Sequence, residues 1–406
     1  MQKSRPHILF ALLIAMVVGL FFSRGILSMA MVAFLPVSFL HGRIREHLRQ
    51  FFDQPFYWGT SLLFLIPFVS GSWSEDRSQW QQMMQVKLPL LFLPLAFARP
   101  LGFTPKHWQW LMGLLLVMVF WGGLFTLKDY FTYQAFYDWN YLRGGSLYTP
   151  LENDHVRFSL LVYLCIVFCG YFIFLHKTRR TAWLWLFPLL FFVVYLHILA
   201  ARTGLLAFYI SLAGLSLFLL MKAQRKKAIP LLIVMICLPL AAWYLMPSFQ
   251  NKLRLFRYES SYLLSADYTP FSNDRVRVIS LRAGWDLMKD APLLGQGYGD
   301  ILNRSRDWYK NAYPDMQEED KIYPSSQFLL YGAGTGIPGL IIFCLVIFYP
   351  LFIHVKDRVP WVMVITGISF SYFFDIGLEV QYGVFIHCFI LFLSRQWMES
   401  QNTASL

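Results

Sequence analysis

The chain has 406 residues, of which 57% are hydrophobic and only 14% are charged, with a formal net charge of +12. About a quarter of the residues in soluble domains are charged, so this composition excludes an ordinary soluble protein. The positive charge is concentrated in short connectors between apolar segments, which argues against a nucleic-acid-binding surface and predicts no nucleic acid partner.

Repeated apolar runs of about 17–22 residues have the length that a helix needs to cross a bilayer. The fold class predicted from them is an all-α integral membrane protein with about twelve transmembrane helices. Met1 to Leu20 resembles a signal peptide, but other apolar runs follow at once, so it is predicted to be a retained first helix. The predicted spans are about 8–22, 25–40, 56–71, 84–98, 107–126, 156–175, 182–200, 203–221, 229–246, 328–353, 360–375 and 378–394.

The basic connectors predict which side of the membrane each loop occupies. Cytoplasmic loops of membrane proteins carry an excess of lysine and arginine. Clusters of this kind occur at Arg43–Arg49, Lys177–Arg180 and Lys222–Lys227, and alternation of the spans places all of them on one side. Both termini are therefore expected to be cytoplasmic.

The longest polar segment runs from Gln250 to Gln327 and is balanced, with 11 Lys/Arg and 11 Asp/Glu. It falls on the opposite side from the basic connectors, as a partly helical outer loop between the ninth and tenth spans. The predicted division is therefore 1–246 for the first nine spans, 247–327 for the loop, and 328–406 for the last spans and a cytoplasmic tail.

Several ionisable or polar residues gather at the predicted outer ends of the spans, where such groups are costly and usually face a cavity or a partner. Each has an ordinary interpretation, because Lys87 and Arg202 could snorkel to lipid headgroups and His155 could cap a helix. Converging cations at this depth would also suit a lipid-linked phosphate or diphosphate, which arginine binds through two N–H groups. The group comprises Lys87, His155, Arg157, Arg202, Asp375, Glu379 and Gln381.

Within the polar segment, the stretch from Asp274 to Pro292 is predicted to be an amphipathic helix. Ser272-Asn273-Asp274 provides an N-cap signal, and Pro292 stops the helix. The apolar positions recur at helical spacing and predict a buried face, Val276, Ile279, Ala283 and Leu287.

Three arginines lie on this predicted helix. Arg275 and Arg282 are seven residues apart and are predicted to share a face, whereas Arg277 projects from a different one. The GQGYGD sequence that follows lacks the preceding strand and the following Lys-Ser/Thr of a Walker-type phosphate loop. A structural tight turn is therefore predicted there.

Together these features resemble the O-antigen ligase and polymerase family, the WaaL and Wzy-C group. The sequence ARTGLLA matches the family's Ser-Arg-Thr-Gly-like element and places Arg202 on its arginine. DRVRVISLRAGWDLMKDAPLLGQG matches the family's loop helix and Pro-Leu-Leu-Gly-x-Gly, with Arg277 or Arg275 on the loop arginine. SSQFLLYGAGTGIPG has the spacing of His-Asn-x-Phe-Leu and Gly-x-x-Gly, with Gly336 and Gly339 on the glycines. The resemblance covers most of the chain and implies a GT-C-like fold.

The sequence departs from the family where His-Asn is replaced by Ser325-Ser326. The family's histidine is credited with activating or orienting the acceptor, and serine is a poor general base near neutral pH. Either the reaction depends mainly on positioning and leaving-group stabilisation, or another group replaces the histidine. The candidates are His155, which the predicted topology makes the outward-facing histidine, and the carboxylates Glu379, Asp375 and Asp300.

The resemblance implies a membrane glycosyltransferase that moves a glycan from undecaprenyl diphosphate to an acceptor, the lipid A-core, at the periplasmic face of the inner membrane. It also implies that the long loop between the ninth and tenth spans is periplasmic. It implies catalytic roles for His155, Arg202 and Arg277, with the arginines neutralising charge on the departing diphosphate. The outer loops contain no Asp-x-Asp pair, so no metal ion and no cofactor is expected. The expected binding residues for diphosphate or glycan are Lys87, Arg157, Arg275, Arg282, Ser325, Ser326, Gln327 and Glu379.

Two kinds of alternative stay open. Within the same fold, the chain could be a Wzy-type polymerase or a protein O-oligosaccharyltransferase, which would change the acceptor to a glycan chain or a protein. In another class, it could be a transporter of polysaccharide or lipid. Transporters usually have internal repeats and helices broken near the midplane, whereas the polar residues here gather at the outer face, which favours an enzyme. Membrane lipids are expected partners in every case.

Overall fold

The computed structural model describes residues 4–175, 179–263, 268 and 272–403, and the predicted basic connector at Lys177 lies outside these ranges. The protein is 80% helical, with no strand in the part of the chain so described. The first nine helices are α1 (Arg5–Phe22), α2 (Arg24–Ser38), α3 (Ile44–Asp53), α4 (Pro55–Ser70), α5 (Arg77–Phe97), α6 (Pro105–Thr132), α7 (Gln134–Tyr141), α8 (His155–Leu175) and α9 (Arg179–Leu199).

The second half of the chain continues in the same way. Its helices are α10 (Arg202–Met221), α11 (Arg225–Leu245), α12 (Pro247–Leu263), α13 (Asn273–Asp290), α14 (Ile301–Ala312), α15 (Gln327–Phe348), α16 (Arg358–Ser371), α17 (Gln381–Phe385) and α18 (Leu391–Thr403). Three 3-10 turns occupy Glu318–Asp320, Tyr349–Phe352 and Gly377–Glu379, and a π-helical turn occupies Ile386–Ile390.

A helix lies within each of the twelve predicted apolar runs. Among the described residues, six helices are long and apolar enough to cross a membrane, which confirms an all-helical chain with candidate membrane spans. They are Arg5–Phe22, Pro105–Thr132, His155–Leu175, Arg202–Met221, Arg225–Leu245 and Gln327–Phe352, and shorter apolar helices occupy Arg24–Ser38, Pro55–Ser70 and Trp183–Leu199. The count of twelve spans and the sides of the loops stay predictions.

The chain forms two compact units. The first unit consists of Met1–Leu111, Ser261–Lys356 and Tyr372–Leu406, and the second of Met112–Ser260 and Asp357–Ser371. These units are defined by internal packing, whereas the division predicted at residues 246 and 327 is defined by the membrane, so that division stays a prediction.

In the second unit, α8 and α10 run parallel. The backbone N–H of Gly204 donates to Ser159 Oγ at 3.2 Å, and further along both helices the Tyr163 hydroxyl lies 2.5 Å from Ser211 Oγ. The helices can approach this closely because residue 204 is glycine, where an added Cβ would lie 2.6 Å from the Ser159 carbonyl oxygen. The N-terminal ends of α8 and α10 therefore lie at the same end of the unit.

The third helix of this bundle, α16, runs antiparallel to α8. The Tyr163 hydroxyl donates to the Met363 carbonyl at 2.7 Å, and the Tyr171 hydroxyl, further along α8, donates to Asp357 Oδ2 at 2.6 Å. Since the contacts progress in opposite directions along the two helices, the start of α16 lies beside the end of α8. It therefore also lies at the same end of the unit as the C-terminus of α10.

In the first unit, α13 confirms the predicted amphipathic helix. The helix begins after Ser272, whose side chain accepts from the Arg275 N–H at 3.4 Å, and it ends at Asp290, before Pro292. The four predicted apolar positions are all buried, and three of them form a core with α14, made of Val276, Ile279, Ala283, Tyr309 and Met316.

The glycine-rich sequence Gly295–Asp300 is a structural turn, as predicted. Gly295 and Gly297 have φ angles of +72° and +92°, a region that favours glycine. The turn packs against α15 through two backbone hydrogen bonds. Gln296 N donates to the Ala333 carbonyl at 2.7 Å, and Gly297 N donates to the Gly334 carbonyl at 3.2 Å. Its far end is fixed by Asp300, which accepts from two backbone N–H groups at the start of α5, those of Glu75 and Asp76, at 2.8 and 2.7 Å.

Helix α15 is broken at Gly336, where φ is +72° and ψ is −176°. The N–H of Ile337 beyond the break donates to the Pro292 carbonyl at 2.8 Å. At the break, the segment that follows α13 therefore packs against α15. The hydrogen bond also satisfies the Ile337 N–H, which would cost free energy if it were left unpaired in an apolar environment.

Alanine at Gly336 is expected to destabilise the protein by about 1–3 kcal/mol, the usual cost of a residue held in a sparsely populated backbone region. The added Cβ would also lie 2.7 Å from the Leu293 carbonyl oxygen. The matched control is Gly170→Ala in α8, where a Cβ meets no atom within 4 Å. Thermal unfolding of the purified protein in detergent should show a lower Tm for Gly336→Ala alone, and equal Tm values for both variants would contradict this account.

Candidate active site

The first unit contains a buried ion pair between α5 and the turn Gly377–Glu379. The side chain of Lys87 is 0% exposed, and that of Glu379 is 8% exposed. Lys87 Nζ donates to Glu379 Oε1 at 2.5 Å and to the Leu378 carbonyl at 2.8 Å. Two predicted binding residues, Lys87 and Glu379, are therefore in direct contact. Because Lys87 is fully buried, a diphosphate could reach its ammonium group only if the ion pair separated. Their predicted role in binding stays a prediction.

Two more donors converge on the same carboxylate oxygen. Tyr298, from the glycine-rich turn, donates to Glu379 Oε1 at 2.6 Å, and Gln327 Nε2, at the start of α15, donates to it at 2.8 Å. Gln327 Oε1 in turn accepts from the Leu378 N–H at 2.9 Å. Among the described residues, the other oxygen of the carboxylate, Oε2, is buried and makes no hydrogen bond. The network therefore connects α5, α15, the glycine-rich turn and the turn Gly377–Glu379.

Tyr298 was not identified from the sequence, although it contributes both a hydrogen bond and a ring to this network. Lys87 Nζ lies 5.2 Å from the centroid of the Tyr298 ring and 5.5 Å from that of Tyr331, close enough for cation–π attraction. Burial, and after it the negative charge of Glu379, raises the pKa of Tyr298 well above its ordinary value. The phenol therefore keeps its proton and acts as a donor. The one available signal was an aromatic residue inside a glycine-rich turn.

The positions of the family's His-Asn pair lie at the junction of α13 and α15. Ser325 N donates to Ser280 Oγ at 3.1 Å, and the two serine hydroxyl oxygens are 2.9 Å apart. Ser326 is buried, and its hydroxyl donates to the Tyr372 carbonyl at 3.3 Å. Close packing supports the junction, because a Cβ on Gly284 would lie 2.7 Å from Pro324. Both predicted residues are therefore held in a packed corner beside α13.

The three arginines of α13 have different environments. Arg275 is buried, whereas Arg282 is 68% exposed at its side chain and lies 3.9 Å from Asp286. Both arginines lie on one face of α13, two helical turns apart. Other segments cover only the N-terminal part of that face, so helical spacing did not predict that Arg275 is buried and Arg282 exposed. Arg277 is exposed, and its guanidinium makes no ion pair with any residue that the structure describes. Its charge is therefore open to an anionic ligand.

In the second unit, Arg202 is the first residue of α10 and follows a turn in which Ala200 has a φ of +48°. Its guanidinium lies 3.7 Å from Glu259 Oε2, with side-chain exposures of 41% and 3%. It also lies 5.4 Å from the ring centroid of Phe256. Both contacts come from α12, so that helix orients an arginine that is still accessible. Glu259 was missed by the sequence analysis, although it is the one carboxylate in the sequence of α12.

His155 and Arg157 open α8. Asp154 Oδ1 accepts from the Arg157 N–H at 3.1 Å and lies 3.4 Å from its guanidinium, which orders the start of the helix. His155 is half-buried. Because α8 and α10 are parallel, His155, Arg157 and Arg202 lie at one end of the second unit, in agreement with the predicted clustering of these three residues.

A second histidine, His197, lies near the end of α9 in the same unit. It is buried, with Nδ1 2.7 Å from the Val193 carbonyl and Nε2 2.7 Å from the Tyr209 hydroxyl. Both ring nitrogens are therefore occupied by neighbouring groups, and His197 is buried, whereas His155 is half-buried.

The described residues contain no group of three or more His, Cys, Asp or Glu side chains that could hold a metal ion. The expected independence of metal ions stays a prediction.

Breaking the Lys87–Glu379 pair is expected to destabilise the protein by about 3–5 kcal/mol, because each single change leaves an uncompensated buried charge. Lys87→Met and Glu379→Gln should each show this loss, and the double variant should recover part of it. Thermal or denaturant unfolding of the four proteins in detergent measures the coupling. The control is Arg304→Ala, which removes an exposed pair with Glu75 and should change stability by about 1 kcal/mol or less. If the stability loss of the double variant equals the sum of the two single losses, the proposed coupling between Lys87 and Glu379 is contradicted.

Residues 187–344 match the family model Wzy_C, described as O-antigen ligase. The matched segment contains Arg202, the three arginines of α13, Ser325, Ser326 and the broken part of α15. No curated protein matches the chain. The family match agrees with the resemblance inferred from the motifs, and it makes residues 187–344 similar to the O-antigen ligase family.

Proposed function

We propose that this protein is a membrane glycosyltransferase that transfers a glycan from undecaprenyl diphosphate to the lipid A-core. The family supports a glycosyltransferase-type enzyme with lipid-linked glycan substrates. The observation that carries the proposal is that the matched segment includes Arg202 and Arg277, each presenting an accessible guanidinium. Guanidinium groups in a site of low dielectric bind diphosphate oxygens strongly and directionally.

The proposed reaction is a displacement at the anomeric carbon of the glycan. An acceptor hydroxyl attacks that carbon, the bond to the diphosphate oxygen breaks, and undecaprenyl diphosphate leaves with the bonding electron pair. A guanidinium, for which Arg202 and Arg277 are the two candidates, neutralises the negative charge that grows on the departing oxygen, and this stabilises the transition state more than the ground state. The proton of the acceptor hydroxyl passes to a base.

His155 is the residue that we assign to this base. Glu379 is buried and accepts three donors on one oxygen, and Asp300 accepts two backbone N–H groups that hold the glycine-rich turn. Both carboxylates are therefore engaged in maintaining the fold, and Asp375 stays the alternative carboxylate for this role. His155 is half-buried at the start of α8, and imidazole titrates near neutral pH, which suits a general base.

The proposal includes the membrane arrangement inferred from charge: about twelve spans in the inner membrane, cytoplasmic termini, and the segment 247–327 in the periplasm. The six helices that are long enough to span a membrane, together with the shorter apolar helices, support it. Arg202, at the start of α10, and Arg277, in the loop, would then face the side on which the carrier presents its glycan.

A transporter is the alternative from another class, and the break in α15 at Gly336 is a feature that transporters share. In transporters, unwound backbone groups coordinate the transported substrate or ion. Here the N–H of Ile337 is bonded to Pro292, and the carbonyls of Ala333 and Gly334 accept from the glycine-rich turn. The break is thus used for packing, which favours the enzyme.

Purified protein is expected to form glycosylated lipid A-core from a synthetic undecaprenyl-diphosphate glycan, without nucleotide and in the presence of EDTA. The product can be followed by mass spectrometry of the acceptor. Transfer to a growing glycan or to a protein in place of lipid A-core would identify a polymerase or a protein O-oligosaccharyltransferase. Movement of the carrier across vesicles with no transfer, or loss of activity in EDTA, would contradict the proposal.

Arg202→Ala and Arg277→Ala are each expected to reduce transfer by about 10²–10³-fold, the usual effect of removing one donor that stabilises developing charge. Unfolding in detergent should change little for Arg277→Ala, because that side chain is exposed. Arg202→Ala also removes the positive charge beside the buried Glu259, so its unfolding is measured together with transfer, to separate a loss of stability from a loss of activity. The matched control is Arg306→Ala, which removes an exposed arginine of α14 in the same polar segment. Full activity in either test variant would exclude that arginine from the site.

Glu259→Gln is expected to act through Arg202, because it keeps the shape of the side chain and removes the charge that orients the guanidinium. We expect kcat/KM for the donor to fall by up to about 100-fold, since small misplacements of a positioning group have effects of this size. In the Arg202→Ala background the same change should have no further effect. The control Glu319→Gln removes an exposed carboxylate of the same polar segment. Independent, multiplicative losses would contradict the positioning role.

A further inference from the structure

A cavity of about 240 Å³ lies between α10 and α16 in the second unit. Its walls are almost entirely apolar, and it is partly open to the outside rather than enclosed. The floor on the α10 side is Gly214, where an added Cβ would meet no atom within 4 Å. The apolar walls are formed by Ile210, Leu215, Phe218, Val359, Val362 and Met363.

The cavity is a groove with a defined direction, because α10 and α16 are antiparallel. The end of α10, at Phe218, and the start of α16, at Arg358, lie at one end, and Ile210 and Thr366 lie at the other. From residue 358 to residue 366 the groove follows the helix axis for about 12 Å. It therefore has the elongated form of a single hydrocarbon chain.

Cations occupy one end of this groove. Arg358 lines it and is exposed, and its guanidinium makes no ion pair within the part of the chain that the structure describes. Lys222, the residue that caps the C-terminal end of α10, is also exposed and lies one helical turn beyond Phe218. The neighbouring carboxylate of Asp357 accepts from the Tyr171 hydroxyl at 2.6 Å and belongs to the packing with α8. The rim is therefore positive where the apolar groove ends.

An apolar groove that ends in cations, formed by the candidate membrane span α10 and by α16, fits an amphiphile with an anionic head. We propose that this groove binds one acyl chain of an anionic phospholipid, with the lipid phosphate held by Arg358 and Lys222. This end carries the basic connector that the charge pattern predicts to be cytoplasmic, the side on which anionic lipids attract such residues. A zwitterionic lipid would gain less from the two cations. The site is independent of the proposed transferase activity.

The test is native mass spectrometry of the full chain in detergent, titrated with phosphatidylglycerol or with phosphatidylcholine. The wild-type protein is expected to retain one phosphatidylglycerol more strongly than phosphatidylcholine. Arg358→Ala should weaken this retention by about fivefold, the contribution of one cation facing an anionic lipid. Gly214→Leu fills the groove and should abolish retention of that lipid.

Each variant has a matched control. Gly170→Leu places the same side chain on α8, at a glycine with open space that does not line the groove. Arg225→Ala removes an exposed arginine at the start of α11, also outside the groove. Both should retain phosphatidylglycerol as the wild type does. If Gly214→Leu unfolds, Arg358→Ala still tests the proposal.

Three results would overturn the assignment. Equal retention of both phospholipids by the wild-type protein would show that the cations do not select the headgroup. Wild-type retention by Gly214→Leu or by Arg358→Ala would place the lipid elsewhere. Displacement of phosphatidylglycerol by an equimolar polyprenyl phosphate would identify an isoprenoid as the occupant instead.

Discussion

The first unit depends on the compensation of one charge, the ammonium of Lys87. This side chain is fully buried on an apolar helix, where an unpaired cation would cost several kcal/mol. Glu379 supplies the opposite charge, and Tyr298 and Gln327 donate to the same oxygen of its carboxylate. Because each of these residues lies on a different segment, satisfying the lysine holds four segments in one arrangement. The glycine-rich turn and the start of α15 are therefore positioned by electrostatics as well as by apolar packing.

The glycines give this arrangement its close contacts. Gly295 and Gly297 adopt positive φ angles in the turn, and Gly336 does so where α15 breaks. A side chain at Gly334 would lie 2.7 Å from the Tyr298 ring, the same ring that faces Lys87. The glycines assigned from the Gly-x-Gly and Gly-x-x-Gly motifs thus have a physical reason. They let two backbones approach so that Tyr298 reaches the buried ion pair.

The elements that follow from local rules could be predicted from the sequence. The apolar runs became helices because a bilayer requires internal backbone hydrogen bonds over about 20 residues. The cap at Ser272 and the buried positions of α13 follow from spacing within one helix. The pairs Lys87–Glu379 and Arg202–Glu259 could not be predicted in this way, because each joins residues on separate elements. Helical spacing also predicted that Arg275 and Arg282 lie on one face of α13. Which part of that face is covered depends on other segments, so it does not follow from the spacing.

The serine at position 325 is compatible with the proposed chemistry because the leaving group is a diphosphate. Glycosyl transfer passes through a transition state with oxocarbenium character, in which departure of the leaving group is well advanced. The charge that develops on the departing oxygen then contributes most to the activation free energy. Cations lower that free energy without any proton transfer. A strong base at the acceptor is less important in such a reaction, so a histidine there contributes mainly orientation. Ser325 is fixed by Ser280 on α13, one turn from Arg277, and can orient a hydroxyl beside that arginine. On this argument the arginines, rather than the residue at position 325, carry the proposed catalysis.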